Sequence, residues 1–300
     1  MSELVLSAAR VSSPARTVRD YLELSKHRIV MMVLITTAAG FFAAARPFDA
    51  WLLVNTLIGT ALVAAGTNAL NQYVEREHDG RMKRTKNRPL PAGRMTPRAA
   101  LIFSSAIATI GTIYLAFAVN PLTAFLGAFT LTSYIFVYTP LKRISTACTI
   151  IGAIPGAIPP LMGWTAVTGA LGAGGWIAFG ILFFWQLPHF MAISWIYRED
   201  YGRGGFAMTS VRDAEGTSVA RQAIFFSIAL IAVSVLPSYI GMTGVGYAIG
   251  VVIAGVALLA ASVHFFFDRT NRIAMRLFMT SNLYLVAVMV LLVVCANYRS

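Results

Sequence analysis

Asn71, Glu75 and Asp79 recur at every fourth position of NQYVEREHDGRMKRTKNRPLPAGR, residues 71–94. On a helix that spacing stacks one amide and two carboxylates along a single face, over about 12 Å of rise. Such oxygen ligands suit a hard divalent cation. Mg²⁺ in particular is usually held by one or two carboxylates together with substrate phosphates. Between Asn68 and Arg94, 27 residues hold three carboxylates and seven Lys or Arg side chains. Arg84, Lys86 and Arg88 precede a turn-forming run at 89–93. Guanidinium forks grip phosphate oxygens two at a time, so the segment predicts a Mg²⁺-bridged diphosphate as ligand.

The stretch FFWQLPHFMAISWIYREDYGRGGFAM, residues 183–208, again sets acids after a helix end. Gln186 and His189 sit in otherwise apolar helix, where a polar group is costly and by default faces a cavity or a partner. His189 reads either as a ligand or base, or as a packing residue bonded to another helix. Glu199 and Asp200 predict a second carboxylate pair opposite Asn71, Glu75 and Asp79; the bland alternative is an interfacial ion pair with Arg198 or Arg203. Lys142 and Arg143, after Tyr138, Thr139 and Pro140, predict a cationic rim or simple anchors for a span end.

These side chains have to be carried by membrane helices. Hydrophobic residues make up 57% of 300 positions and charged ones 12%, with mean hydropathy +0.70. That excludes an ordinary soluble domain. Nine runs reach bilayer length, about 29–45, 51–71, 99–118, 122–139, 147–167, 174–196, 222–241, 244–266 and 275–296. Unbroken runs of this kind predict an all-α polytopic bundle rather than a barrel, with a central cavity open to the cytoplasmic side. Pro155, Pro159 and Pro160, among glycines in the fifth run, predict irregular backbone facing the bundle interior.

The net charge of +12 reports orientation and not nucleic acid. Five basic residues precede the first run, and eight, two, four and three lie in alternate connections, 22 of 24 in all, against Arg46 and Arg299 on the other side. The positive-inside rule then puts the amino terminus and charged loops in the cytoplasm and the carboxyl terminus opposite. Residues 1–25 read as a cytoplasmic segment: Arg10, Arg16 and Arg19 are mixed with acids, and no secretory signal is expected. Residues 26–300 read as one membrane domain, with a hint of two four-helix halves and a ninth helix appended. Cys148 and Cys295 suggest neither a disulfide nor a zinc site.

The Asn71–Glu75–Asp79 segment resembles the signature of the UbiA superfamily of intramembrane prenyltransferases. Paired with residues 183–208, with LSKHRIVMMVLITTAAGF, YTPLKRIST and GAIPGAIPPLMGW, it is similar to the haem-directed branch of that family over about residues 20–290. The resemblance implies farnesyl diphosphate bound through Mg²⁺, transfer of the farnesyl group to a vinyl group of haem B, and water addition giving haem O on the route to haem A. It implies Asn71, Glu75, Asp79 and Asp200 as metal ligands, with Arg84, Arg88, Lys142 and Arg143 on the diphosphate. His189, Glu199 and Asp200 take catalytic roles in the same reading. Glu75 stands where the superfamily usually has Asp, and His189, Glu199 and Asp200 replace the repeated aspartates of the second motif. The implied partners are farnesyl diphosphate, haem B, the lipid bilayer and a haem A synthase, with no nucleic acid. The implied location is a bacterial inner membrane, or the mitochondrial one for a eukaryotic chain. Two other functions fit the residues: a prenyltransferase for an aromatic acid or quinone precursor, and a transporter, since intramembrane polar groups also mark ion pathways.

Overall fold

Backbone in hydrocarbon has only its own groups to bond, so the apolar runs close into helices. The computed structural model describes residues 14–44 and 47–296. Arg10, Arg46 and Arg299 of the charge tally, the side chain of Arg16, and residues 1–13 of the amino-terminal segment lie outside the described residues. The first two helices, α1 (Pro14–Leu24) and α2 (His27–Ala43), are bent by 51° at the break between them. Eight further helices are long and apolar enough to cross a bilayer: α3 (Ala50–Arg81), α4 (Pro97–Ala118), α5 (Pro121–Leu141), α6 (Cys148–Thr168), α7 (Ala173–Ile196), α10 (Thr217–Tyr239), α11 (Val245–Phe267) and α12 (Asn271–Val294). Short α8 (Arg198–Arg203) and α9 (Thr209–Arg212) lie between α7 and α10. Counting the bent pair as one crossing gives nine, the number of apolar runs. Among the described residues the only non-helical pairing of strand type is one bridge, Thr243 with Ala296.

The helices close into two rings. In one, α2 packs on α3, α3 on α4, α4 on α5, α5 on α6, and α6 returns to α2. In the other, α7, α10, α11 and α12 follow one another and α12 returns to α7. The α6–α7 interface and a smaller α2–α12 contact join them. The division is therefore five and four, because the first crossing belongs inside its ring and is not an appendage. Glycine makes that closure possible. A Cβ on Gly40 would meet the Pro160 carbonyl oxygen at 1.9 Å, and one on Gly163 would meet that of Thr37 at 1.9 Å. So α2 and α6 touch backbone to backbone, as small residues permit between membrane helices.

One element departs from expectation. The helix α6 runs unbroken through Pro155, Pro159 and Pro160. Membrane helices tolerate proline where the surrounding bundle accommodates the freed carbonyls; separately, Gln186 Nε2 from α7 donates to the Ala153 carbonyl at 3.2 Å. The helix α3 continues ten residues past the apolar run that ends near 71, to Arg81, since its polar continuation contains no proline until Pro89. In α5, a π-helical stretch at Ser133–Tyr138 re-aims the last turn.

Candidate active site

The extension of α3 keeps a buried face after its side chains turn polar: Asn68, Asn71, Gln72, Glu75 and Asp79 are all buried. Burying such groups without partners is expensive; Asn71, Glu75 and Asp79 each take a cation from elsewhere, whereas Gln72 Oε1 is buried without a partner. Lys26 Nζ donates to Asn71 Oδ1 at 3.1 Å. Lys142 Nζ meets Glu75 Oε1 at 2.8 Å. The Arg88 guanidinium meets Asp79 Oδ2 at 2.7 Å. The other Asp79 oxygen, Oδ1, is buried with no partner.

Positioning is equally specific. Asn71 Nδ2 donates to Thr139 Oγ1 at 3.2 Å, and that hydroxyl donates to the Tyr134 carbonyl at 2.8 Å across the π-helical turn. The amide is thereby fixed with its oxygen toward Lys26. Thr85 Oγ1 donates to the Asp79 carbonyl at 2.8 Å, which folds the basic loop back over the end of α3. Lys142 lies 4.5 Å from the centre of the Tyr138 ring. Burial alone would push its ammonium pKa down; the adjacent Glu75 carboxylate outweighs burial and holds it well above the ordinary lysine value.

The second acidic cluster joins the same structure by another route. Asp200 accepts the Lys83 amide at 3.0 Å, the Arg84 amide at 3.2 Å, and the Arg203 guanidinium. Burial opposes its charge, yet these hydrogen bonds hold the carboxyl below its ordinary pKa. His78 Nδ1 bonds the Gly204 carbonyl at 2.7 Å, and the Ala207 amide donates to the Lys142 carbonyl at 2.7 Å. The loops after α3, α5 and α7 are therefore one packed unit at one end of the bundle. Both oxygens of Asp200 are engaged by the 83–84 loop and Arg203, whereas Asp79 keeps a free one. Glu199 is exposed, and its ion pair is a 3.9 Å contact with Arg203.

Arg84 is exposed with its guanidinium 5.1 Å from the Tyr197 ring centre. Arg143 is exposed while Lys142 is buried, because neighbours along a helix end point in different directions. His189, on α7, belongs to a separate cluster with α12. Its Nδ1 lies 2.9 Å from Ser281 Oγ, and its ring stacks on Trp185 with centroids 4.7 Å apart. Ser281 Oγ donates to the Phe278 carbonyl at 2.7 Å. The serine oxygen therefore accepts from Nδ1–H, which leaves Nε2 as the nitrogen with the lone pair. Nε2 has no protein partner among the described residues.

Lys26, Gln72 and Thr139 carry no role in the sequence reading. Lys26 is the residue among those described, other than glycine, with positive φ, at 51°. Gln72 Nε2 pins that break by donating to the Glu23 and Leu24 carbonyls at 3.0 and 2.8 Å. A lysine directly before an apolar run was the available signal for Lys26; its partner, 45 positions away, was not visible. Arg94, one of the seven basic side chains between Asn68 and Arg94, pairs with Asp20 at 2.8 Å and Glu23 at 2.5 Å.

Residues 33–294 match the model of the UbiA prenyltransferase family. The chain is 45% identical over 277 residues to the protoheme IX farnesyltransferase of Solibacter usitatus, covering 89% of this chain and 95% of that one. It is 41% identical over 272 residues to the mitochondrial protoheme IX farnesyltransferase of Homo sapiens, covering 91% of this chain and 61% of that one. Its fold matches a solved structure of digeranylgeranylglyceryl phosphate synthase with TM-score 0.78 at 17% identity, over 93% of this chain and 98% of the other. It also matches a UbiA homolog from Archaeoglobus fulgidus bound to GPP and Mg²⁺, with TM-score 0.65 at 16% identity, over 91% and 99%.

Proposed function

This chain belongs to the UbiA prenyltransferase family, and we propose that it transfers the farnesyl group of farnesyl diphosphate to a vinyl group of haem B, with water addition, giving haem O. Its relatives at 40–45% identity bear the name of that activity. The observation that carries the chemistry is the buried α3 face on which Lys26, Lys142 and Arg88 converge, at one end of an otherwise apolar bundle. An anion-stabilising centre beside a dry interior is what ionisation of an allylic diphosphate requires.

The residues fit a Mg²⁺ ion completed by phosphate. Among the described residues no three of His, Cys, Asp and Glu form a metal-binding group, so a protein-only cage is not the arrangement. Asp79 offers a buried free oxygen, with Glu75 and Asn71 on the same face. These three side chains, spread along the face, would be the protein's ligands to Mg²⁺, and diphosphate oxygens would fill the remaining positions. When bound, Mg²⁺ supplies charge that stabilises the departing diphosphate. Arg88 and Lys142 would bind the same leaving group, and Arg84 and Arg143 are placed as an outer rim. In this reading Asp200 is a positioning residue for the 83–88 loop, and Glu199 adds negative charge at its edge.

The C–O bond of the allylic diphosphate breaks and its electron pair leaves with diphosphate. The haem vinyl group then bonds to the farnesyl carbon, and the resulting cation takes the oxygen of water, whose proton goes to a base. His189 Nε2 is our candidate for that base or for haem contact. The charge distribution supports a cytoplasmic amino terminus with the carboxyl terminus opposite, and a cavity open to the cytoplasmic side and an inner-membrane location belong to the same reading. Residues 26–300 would then form one enzyme domain, and an enzyme converting haem O to haem A would take the product.

Incubation of the purified full chain with farnesyl diphosphate, haem B and Mg²⁺, followed by product mass, tests the reading. A haem adduct heavier by one farnesyl group and one hydroxyl supports it. A prenylated benzoate in place of that adduct, or intact diphosphate with solute flux in liposomes, refutes it.

A further inference from the structure

Three separate segments each lend one cation to one oxygen group on the α3 face. Lys26 comes from the α1–α2 break, Lys142 from the turn after α5, and Arg88 from the loop after α3. Asn71, Glu75 and Asp79 take them one apiece. We propose that these side chains are resident counter-ions: they close the face to a bare divalent cation, and they pass to diphosphate oxygens when metal and diphosphate arrive together. The inference rests on the diphosphate reading above. It goes further by giving Lys26 a substrate-binding role and by making metal binding conditional on diphosphate.

Charge decides the first half. Two carboxylates set against three basic groups leave no net negative charge to attract a dication, so metal alone must displace a cation without compensation. A diphosphate reverses the balance, because it supplies anionic oxygens for the displaced side chains while the freed carboxylates turn to the metal.

Geometry decides the second half. Of the three pairs, Lys26 with Asn71 has the neutral acceptor and the longest separation, 3.1 Å against 2.8 and 2.7 Å. Charge-assisted bonds to carboxylates are the stronger ones, so Lys26 releases first. Its backbone does not need to move. The left-handed conformation, φ 51° and ψ 53°, is held by the two Gln72 bonds to the residues just before it, and strain of this kind persists where surrounding structure enforces it. The flexible four-carbon stem carries the ammonium alone. Asn71 stays aimed after release, since Thr139 holds its amide nitrogen. The free Asp79 Oδ1 lies about two turns further along the same face.

Mn²⁺ binding to the full chain in detergent, read by electron paramagnetic resonance at fixed free Mn²⁺, with and without inorganic pyrophosphate, tests this without turnover. Wild-type chain should bind Mn²⁺ about tenfold more tightly when pyrophosphate is present. Lys26→Met should bind Mn²⁺ alone more tightly than wild type and lose at least about threefold of the coupling, with Lys26→Gln as the second neutral variant. Lys26→Arg should keep the coupling. Unchanged coupling in both neutral variants, or equal Mn²⁺ affinity with and without pyrophosphate in wild type, overturns the inference alone. A wild-type chain that binds neither probe overturns the diphosphate reading itself.

Discussion

Lys142→Met is the sharpest test of how the site is held together. The Lys142–Glu75 pair is 2.8 Å long, and its side chains are 10% and 5% exposed. Removing one partner of a buried pair leaves a charge with no solvent, and costs about 3–5 kcal/mol. Methionine keeps the stem's volume, so cavity formation adds little. Near the unfolding midpoint the entropy is about 2.1 cal/mol/K per residue. For a chain of 300 residues that makes each kcal/mol worth about 1.6 °C, and the loss about 5–8 °C. The assay is thermal unfolding of the ligand-free chain in detergent at one scan rate. Glu75→Gln added to Lys142→Met removes the stranded charge, and should return the midpoint to within about 1–2 kcal/mol of wild type. A single variant that costs under about 1 kcal/mol, the worth of an exposed pair, or a double variant no better than the single one, would refute the claim that burial makes this pair essential.

Asp200 gives a pH prediction. Its folded pKa lies below the ordinary carboxyl value, so its contribution is present above that value and is lost as pH falls through the depressed one. Acidifying from pH 6 to pH 3 should therefore lower the wild-type midpoint more than that of Asp200→Asn, and parallel shifts would show that the carboxylate does not tether the 83–84 loop. Ser281→Ala should cut turnover to haem product by about tenfold through loss of the Nδ1 partner, with the KM for farnesyl diphosphate unchanged; a KM effect with normal turnover would place His189 at the diphosphate. Gly163→Ala should cost about 1–3 kcal/mol by overpacking, because its Cβ would fall 1.9 Å from the Thr37 carbonyl oxygen; a neutral result in thermal unfolding would mean that α2 and α6 can separate freely.

What could be read in advance followed the range of the interaction. The crossings were legible because span length is a local property, and the Asn71–Glu75–Asp79 face because a four-residue repeat is one too. Hydropathy marks where lipid ends, not where a helix ends; the four-residue repeat already pointed past 71, and a buried polar face carries α3 on to Arg81. Partner choice was legible only for near neighbours, as in the pairing of Asp200 with Arg203. Lys142 and Arg143 are adjacent and equally basic, yet a π-helical stretch upstream and the packing of Phe206 and Met208 decide that only Lys142 turns inward. Asp200 has the composition of a metal ligand, and only the fold sets its oxygens against the Lys83 and Arg84 amides.

The same distinction explains why the site is built from distant pieces. A cluster of two carboxylates cannot sit in an apolar bundle unless compensated, and a basic side chain that α3 itself carries nearby, Arg76, is taken up at the exposed rim by Glu77 and the Tyr73 carbonyl. Cations arriving from three other segments neutralise the face in the empty chain and remain free to follow an incoming anion. The long-range pairs that sequence could not reveal are thus the ones that let one buried face be stable without its ligands and responsive to them.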